Sequence, residues 1–506
     1  EFRKLRIHDK KDELKGVIQV SKKILILVLA IGIVISLMIS GIAFADQQIV
    51  ISWYPQNYYQ PKSYPQLAQV VESVVKGYEE LHPNVKIVLV PPVPTDYTTW
   101  LNTQMAGGTE PIIGWDFYTT MWEQTGWWIP LNKYLDEPDP YAAPGQGREH
   151  WKDAFPDYLI QTLKSPDGTC YTISFDWTET ALVYNKAIFD KLHLSANWKT
   201  WGEFIDTLAK LKQAGYIPFG MQMSNTGWSL ETWADAIVTS ACFADQVPQM
   251  IMKSYENRST SYDGYTWQAL APEEIVKAMY DGIYSPYNPR FVDFLNIMKE
   301  WSQYWPSGYN ANIPLNSLFY SGKLAIMWIG SWQYNDLLLP SSKPPFPWGI
   351  TYLPPFTRKE IPTLPTQFLN TSFRVGGPTG TGSYGITVRA EKEGIVKQAV
   401  DFLMYLSTPQ TMGKIMVDAD MDIPMLKGVE LTPGMENFQK VTAMPPVALG
   451  GPGSRFLTTY YNDYQTTIEE YLMGSIDLKA TQQKLQQIFD NNVKAFATQY
   501  HYDWYK

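Results

Sequence analysis

Val50-Ile51-Ser52-Trp53-Tyr54 opens the run of segments whose order decides the fold. The stretch is rich in β-branched and aromatic residues and reads as a short strand. Downstream, Val70, Val71, Val74, Val75, Tyr78 and Leu81 recur at helical spacing until Pro83 ends the helix. Residues 85–90 form a second apolar strand, 97–105 a helical stretch, and Pro111-Ile112-Ile113-Gly114-Trp115 a third strand. Strand and helix in alternation predict an α/β fold whose strands are mainly parallel. In such sheets ligands sit beyond the carboxyl ends of the strands. That rule puts Trp53, Tyr54, Gln56, Asn57, Trp115 and Asp116 where a ligand would lie.

The same alternation continues. Residues 181–185 read as a strand, and Thr200-Trp201-Gly202-Glu203 as a capping box opening a helix with Phe204, Ile205, Leu208 and Leu211 on one face. Helices are expected at 231–240, 289–304, 395–404, 461–473 and 480–496, and a strand at 386–388. There is no repeat and no low-complexity linker, so domains are expected to be joined by crossing strands.

Composition narrows the function. Of 506 residues 45% are hydrophobic and 18% charged, which suits a globular chain of two or three domains. A formal net charge of -9 argues against a nucleic-acid partner, which needs a basic face. The unusual feature is 14% aromatic residues, with 19 Trp and 33 Tyr. These rings carry an apolar face and a polar edge, and their excess suits a wet, flat-faced ligand. Cys170 and Cys242 could pair outside the cytoplasm or stand as two separate buried residues. Five scattered His show no metal-ligand spacing, and neither metal nor cofactor is expected.

Residues 1–45 have the parts of an export signal: Lys10, Lys11, Lys15, Lys22 and Lys23, an apolar run over 24–39, and Ala43-Phe44-Ala45 before Asp46. Either the signal is cleaved after Ala45 or it stays as a membrane anchor. Both place the rest of the chain outside the cytoplasm, at the cell surface or in the periplasm.

Two motif matches are rejected. Gly380-Thr381-Gly382-Ser383-Tyr384-Gly385 fits a dinucleotide pattern but precedes a strand instead of following one, so a glycine-rich turn is expected. Asp418-Ala419-Asp420-Met421-Asp422 begins like a calcium loop, yet Ile423 replaces the required Gly and Val429 the closing acid. Asp176 and Glu179 around Trp177 could form an acid/base pair for glycoside cleavage, or could accept hydrogen bonds from ligand hydroxyls.

The ordered series of segments resembles the extracellular sugar-binding proteins of ABC importers, the maltose-binding-protein-like solute-binding family 1. The match runs through 49–54, Glu79-Glu80-Leu81-His82-Pro83-Asn84-Val85, Pro111-Ile112-Ile113-Gly114-Trp115 and Trp128-Ile129-Pro130-Leu131-Asn132-Lys133-Tyr134-Leu135. It continues through Ala181-Leu182-Val183-Tyr184-Asn185-Lys186, Trp198-Lys199-Thr200-Trp201-Gly202-Glu203-Phe204, residues 319–327 with Gly330-Ser331-Trp332, and residues 399–409. The resemblance implies a type II two-lobed fold, each lobe a mainly parallel sheet flanked by helices, joined by a multi-strand hinge. It implies a first lobe of 46–176 and 384–408 and a second of 177–383 and 409–506. It also implies sugar stacking by Trp115 and Trp332, and polar contacts from Gln56 and Asn57. Trp228, in the loop-like Asn225-Thr226-Gly227-Trp228, joins the candidates, whereas Trp233 at helical spacing reads more as core. Where relatives often carry charged residues in the first-strand loop, this chain has Gln56 and Asn57 between tyrosines.

The expected function is to bind an oligosaccharide, such as a plant-cell-wall xylo- or manno-oligosaccharide, and deliver it as a monomer to the membrane subunits of an ABC transporter. A secreted glycoside hydrolase and a receptor of the same fold for a non-sugar solute are the alternatives.

Overall fold

The described residues of the computed structural model are 48–93, 97–116, 126–142, 149–164, 168–223, 230–246, 250, 272–339, 343–377, 380–444 and 460–506. Residues 1–45, where an export signal is expected, and Trp228 lie outside them. Among the described residues no helix is long and apolar enough to cross a membrane.

The strands are β1 (Ile49–Trp53), β2 (Val85–Leu89), β3 (Ile113–Trp115), β4 (Thr172–Ser174), β5 (Asp176–Asn185), β6 (Ile217–Gly220), β7 (Leu324–Gly330), β8 (Trp348–Thr351), β9 (Gly376–Gly377), β10 (Ser383–Ile386) and β11 (Ile423–Pro424). The longer helices are α1 (Pro65–Leu81), α2 (Tyr97–Gly107), α3 (Trp201–Gln213), α4 (Glu231–Phe243), α5 (Pro289–Ser302), α6 (Val396–Leu406), α7 (Tyr461–Leu472) and α8 (Leu478–Tyr500). Residues 48–50 and Glu79–Ile87 group as a small unit, within which the Ile49 amide donates to Asn84 O at 2.9 Å. Ile51–Tyr78 and Val88–Lys506 form the large unit that carries everything below.

β1, β3, β10 and β4 lie side by side in that order, and β11, β5, β7 and β6 form a second sheet with β8 and β9 also on β5. The expected parallel pairing holds for β1 with β3 and β6 with β7. β10 runs against β3 and β4, and β5 runs against β7, β8, β9 and β11, so both sheets are mixed. The physical reason is the path of the chain. β4 passes through Phe175 straight into β5, the chain returns from β9 to β10, and it crosses again between α6 and β11. Strands that enter a sheet by such short passages arrive antiparallel to some neighbours, whereas parallel strands need a long crossover.

Two strands differ from the sequence expectation. β5 begins at Asp176, five residues earlier than the apolar run, because Trp177 and Asp176 pair with β11 and Thr178 and Glu179 with β9. β10 begins at Ser383, inside the glycine pattern, so its second half is strand and not turn. Gly385 makes this possible. A Cβ there would sit 2.6 Å from the Trp128 ring and 3.1 Å from Tyr171 O. The capping residue of α3 is as expected: Thr200 Oγ1 accepts from the Glu203 amide at 3.3 Å, and Glu203 Oε2 accepts from the Lys199 amide at 2.7 Å.

The aromatic surplus is largely core. Trp53, Trp151, Trp201 and Trp301 are fully buried. Around β6, Trp201 meets Trp301 edge-on at 5.1 Å, and Phe219 lies 5.0 Å from Trp301. Such pairs add about 0.5–1.5 kcal/mol each beyond the area they bury. Cys170 and Cys242 are both buried and form no disulfide, which answers the pairing question in favour of separate residues.

Candidate functional site

The carboxyl ends of β1 and β3 carry an aromatic wall. Tyr54 lies 4.9 Å from Tyr97 and 5.5 Å from Trp100, and Tyr97 meets Trp115 edge-on at 5.1 Å. Trp115 is half-buried and held from both ends. Its Nε1–H donates to Gly380 O at 2.8 Å, and its carbonyl accepts from the Tyr97 hydroxyl at 2.8 Å. An indole fixed in this way can offer a face to a ligand without losing side-chain entropy on binding. Next to it, Asp116 is fully buried and accepts from the Thr172 hydroxyl.

Gln56 and Asn57 follow in the first-strand loop, both half-buried. Gln56 adopts a left-handed backbone (φ 56°), and its side-chain oxygen accepts from the Asn57 amide. Gln60 Nε2 donates to Asn57 O at 3.2 Å. Trp53 needs correction. It is fully buried, edge-on to Tyr384 at 5.6 Å and Phe402 at 5.3 Å, so it belongs to the core beneath the wall. As the last residue of β1, it faces the covered side of the sheet.

The second sheet answers with its own wall. Trp332, half-buried, is the second residue of the 3-10 turn after β7 and meets Trp233 edge-on at 5.8 Å, while Trp233 meets Trp328 at 5.5 Å. Its seat depends on Gly330, where a Cβ would fall 2.1 Å from the indole. Trp233 itself is buried, as the helical spacing suggested.

Trp177 is not a free platform. The residue is only 8% exposed, its Nε1–H donates to Glu179 Oε1 at 2.6 Å, and the Arg374 guanidinium lies 5.3 Å above its ring. Arg374 also pairs with Glu179 at 2.5 Å and donates from Nε to Met444 O at 2.8 Å. Burial pushes the Glu179 carboxyl up to about 7, although Arg374 and Trp177 both pull it down. Asp176 is likewise fully buried, accepting from the Tyr58 hydroxyl at 2.7 Å and the Gly382 amide at 2.8 Å. A glycosidase pair has to flank the scissile bond. These two acids are instead enclosed by the protein's own groups.

Three groups of residues were missed from sequence. Arg374, a single basic residue among uncharged neighbours, carries no spacing signal. Tyr64, ahead of α1, donates to Asp336 in the turn after β7, joining the ends of the two sheets. Glu231 and Asp235, one turn apart on α4, are buried together; Asp235 accepts from Tyr464 at 2.9 Å and Thr239 at 3.1 Å, and Glu231 from Gln465 at 3.3 Å. Burial holds both carboxyls well above their usual range, and their mutual repulsion adds to it for Glu231. Acids placed four residues apart are the ordinary pattern of an exposed helix face, so nothing local marked them.

Against known proteins, residues 73–446 match the bacterial extracellular solute-binding protein family, and the chain belongs to that family. Its fold is that of the two-lobed periplasmic solute-binding proteins. It is similar to a chitin oligosaccharide binding protein, at 18% identity and a TM-score of 0.62 over 88% of this chain and 100% of that one. A structure from work on xylan utilization by the thermophilic bacterium Caldanaerobius polysaccharolyticus shares 16% identity and a TM-score of 0.59, over 87% and 99%. An ABC substrate-binding protein of Listeria monocytogenes in complex with cycloalternan shares 17% and 0.57, over 89% and 99%. No curated protein matches the sequence.

Proposed function

We propose that this solute-binding protein is an extracytoplasmic, monomeric receptor that takes an oligosaccharide between its two lobes and delivers it to the membrane subunits of an ABC importer. The observation that carries the reading is the pair of half-buried indoles, Trp115 at the end of β3 and Trp332 just past β7, one on each sheet. A sugar ring has an apolar C–H face that stacks on indole and a hydroxyl rim that needs polar partners. Gln56 and Asn57 are within a few residues of the first wall, and Trp228 is proposed for the second. The lobes are 46–176 with 384–408, and 177–383 with 409–506, joined at the three passages between the sheets.

Rings on the walls of both sheets favour several sugar units over one. A xylo- or manno-oligosaccharide is our choice, and the solved relatives of known ligand, which include chitin oligosaccharide and cycloalternan binders, support the oligosaccharide class. Tyr54 and Asp116 support the first wall from within, while Asp176, Trp177 and Glu179 brace the passage between the sheets.

The test is calorimetry of the intact protein against xylo-, manno- and chito-oligosaccharides, with product analysis on the same samples. Binding without cleavage is the expected result; turnover would make the protein a hydrolase, and binding of only non-sugar solutes would change the ligand class. Trp115→Ala and Trp332→Ala should each weaken sugar affinity about fivefold or more, since one stack contributes about 1 kcal/mol. Affinities unchanged within about threefold would remove those residues from the site.

A further inference from the structure

The two motifs rejected as cofactor loops meet in the structure. The turn Gly380-Thr381-Gly382 lies against two buried acids, Asp176 at the start of β5 and Asp422 just before β11, the latter from the Asp418–Asp422 series. Successive amides divide between them: Thr381 N–H donates to Asp422 Oδ2 at 3.1 Å, and Gly382 N–H to Asp176 Oδ2 at 2.8 Å. The turn comes this close because Gly380 and Gly382 carry no side chains. A Cβ at Gly380 would lie 2.3 Å from Asp176 Oδ1, and one at Gly382 would lie 2.9 Å from Oδ2.

All three passages between the sheets converge here. Asp176 belongs to the β4–β5 passage, residues 380–382 to the β9–β10 passage, and Asp422 to the α6–β11 passage. The remaining partners come from both sheets. Tyr58, after β1, donates to Asp176 and lies 3.3 Å from Met421 O; Ser331, after β7, donates to Asp422, and Thr178 donates to it at 3.3 Å. Every one of these donors is neutral. Tyr384 on β10 also faces Asp176, and Arg374 is engaged by Glu179. Among the described residues neither Asp176 nor Asp422 forms an ion pair, and Asp176 Oδ1 has no hydrogen-bond partner. Both acids are fully buried.

Two like charges enclosed together without a cation cannot both be stable, so such pairs hold a proton between them. We propose that Asp176 and Asp422, gripped by the Gly380–Gly382 turn, are a proton-operated catch on the passages between the sheets: it is fastened when the pair holds one proton and loosens when both acids ionise. Burial and mutual repulsion raise Asp176, and burial raises Asp422, in keeping with that proton. With both acids charged, repulsion falls directly on the β11–β5 pairing, Ile423 with Trp177 and Pro424 with Asp176. The catch itself follows from the hydrogen bonds; its consequence for lobe motion rests on the two-lobe reading above.

The experiment is hydrogen–deuterium exchange on the whole chain between about pH 6 and pH 9, with each rate divided by its intrinsic value, read over 380–383 and 421–425. Opening should rise at least about tenfold across this range, one proton permitting up to tenfold per pH unit. Asp422→Asn should be flat within about twofold. Asparagine keeps the acceptor as a neutral acid does and tolerates the left-handed backbone at this position (φ 55°). Asp176→Asn serves if the first variant does not fold. A flat wild type overturns the proposal, as does a variant with the wild-type slope. So does protection at high pH by added sodium or calcium, which would put a cation where we place the proton. A null result in sugar calorimetry leaves the exchange profile untouched, so failure of the ligand reading and failure of the catch are told apart.

Discussion

Asp176 and Glu179 stand three residues apart on β5, both fully buried, yet their charges are handled in opposite ways. Glu179 has a guanidinium at 2.5 Å and an indole N–H at 2.6 Å. Among the described residues Asp176 has a phenol and a backbone amide. A buried ion pair is held in place by mutual attraction and loses much when one partner goes. A buried acid among neutral donors can instead shed its charge by taking a proton. The first arrangement therefore works as a fixed brace and the second as an adjustable one, on the same strand.

The comparison breaks first at Arg374. Arg374→Met should destabilise by about 3 kcal/mol by calorimetry near pH 9, where Glu179 is ionised beside Arg374, and by less near pH 6, where it is neutral; a loss below about 1 kcal/mol at pH 9 would show that Glu179 carries no charge beside Arg374. The pH profile should sharpen this. Glu179 has a folded-state pKa raised to about 7, above its unfolded value, so its contribution is complete below about pH 4.5 and is lost as pH rises through 7. In Arg374→Met that loss should begin at lower stability and extend to higher pH, since the cation that lowers the carboxyl is gone.

A smaller effect is expected at Tyr58→Phe, about 1–3 kcal/mol, from removal of one donor to a buried carboxyl. Because Asp176 can protonate, the loss should be smaller at pH 5 than at pH 8; equal losses at both would contradict an adjustable acid. Smallest is Trp177→Phe, about 1 kcal/mol, which removes the N–H to Glu179 but keeps a ring beneath Arg374. Thermal unfolding with no change in sugar affinity would confirm that Trp177 braces the passage and does not touch ligand.

Much of the architecture is written locally. The valine spacing of α1, the Thr200 cap of α3 and the apolar core of β5 are each readable within about a dozen residues, and their order carries the fold. Trp115 was placed at the end of a strand by the same kind of local signal, whereas Trp332 entered only through the family resemblance. Trp53 was misplaced because the rule that puts ligand beyond the carboxyl end of a strand does not say which face the last side chain takes, and Trp53 shares the buried face of β1 with Ile51. The start of β5 was missed because Asp176, Trp177, Thr178 and Glu179 are polar or bulky, and only their partners in β9 and β11 make them strand.

The sequence by itself determined the class of the molecule, the alternation of strands and helices, and the surplus of rings, since these depend on residues that are neighbours along the chain. Tertiary structure alone decided what the buried charges do. Arg374 meets Glu179 across 195 residues, and Gly382 meets Asp176 across 206. No local pattern encodes such a meeting. The desolvation that makes it consequential exists only once the sheets have closed over both partners. The glycine turn and the aspartate series, unremarkable as motifs, became a single site for that reason.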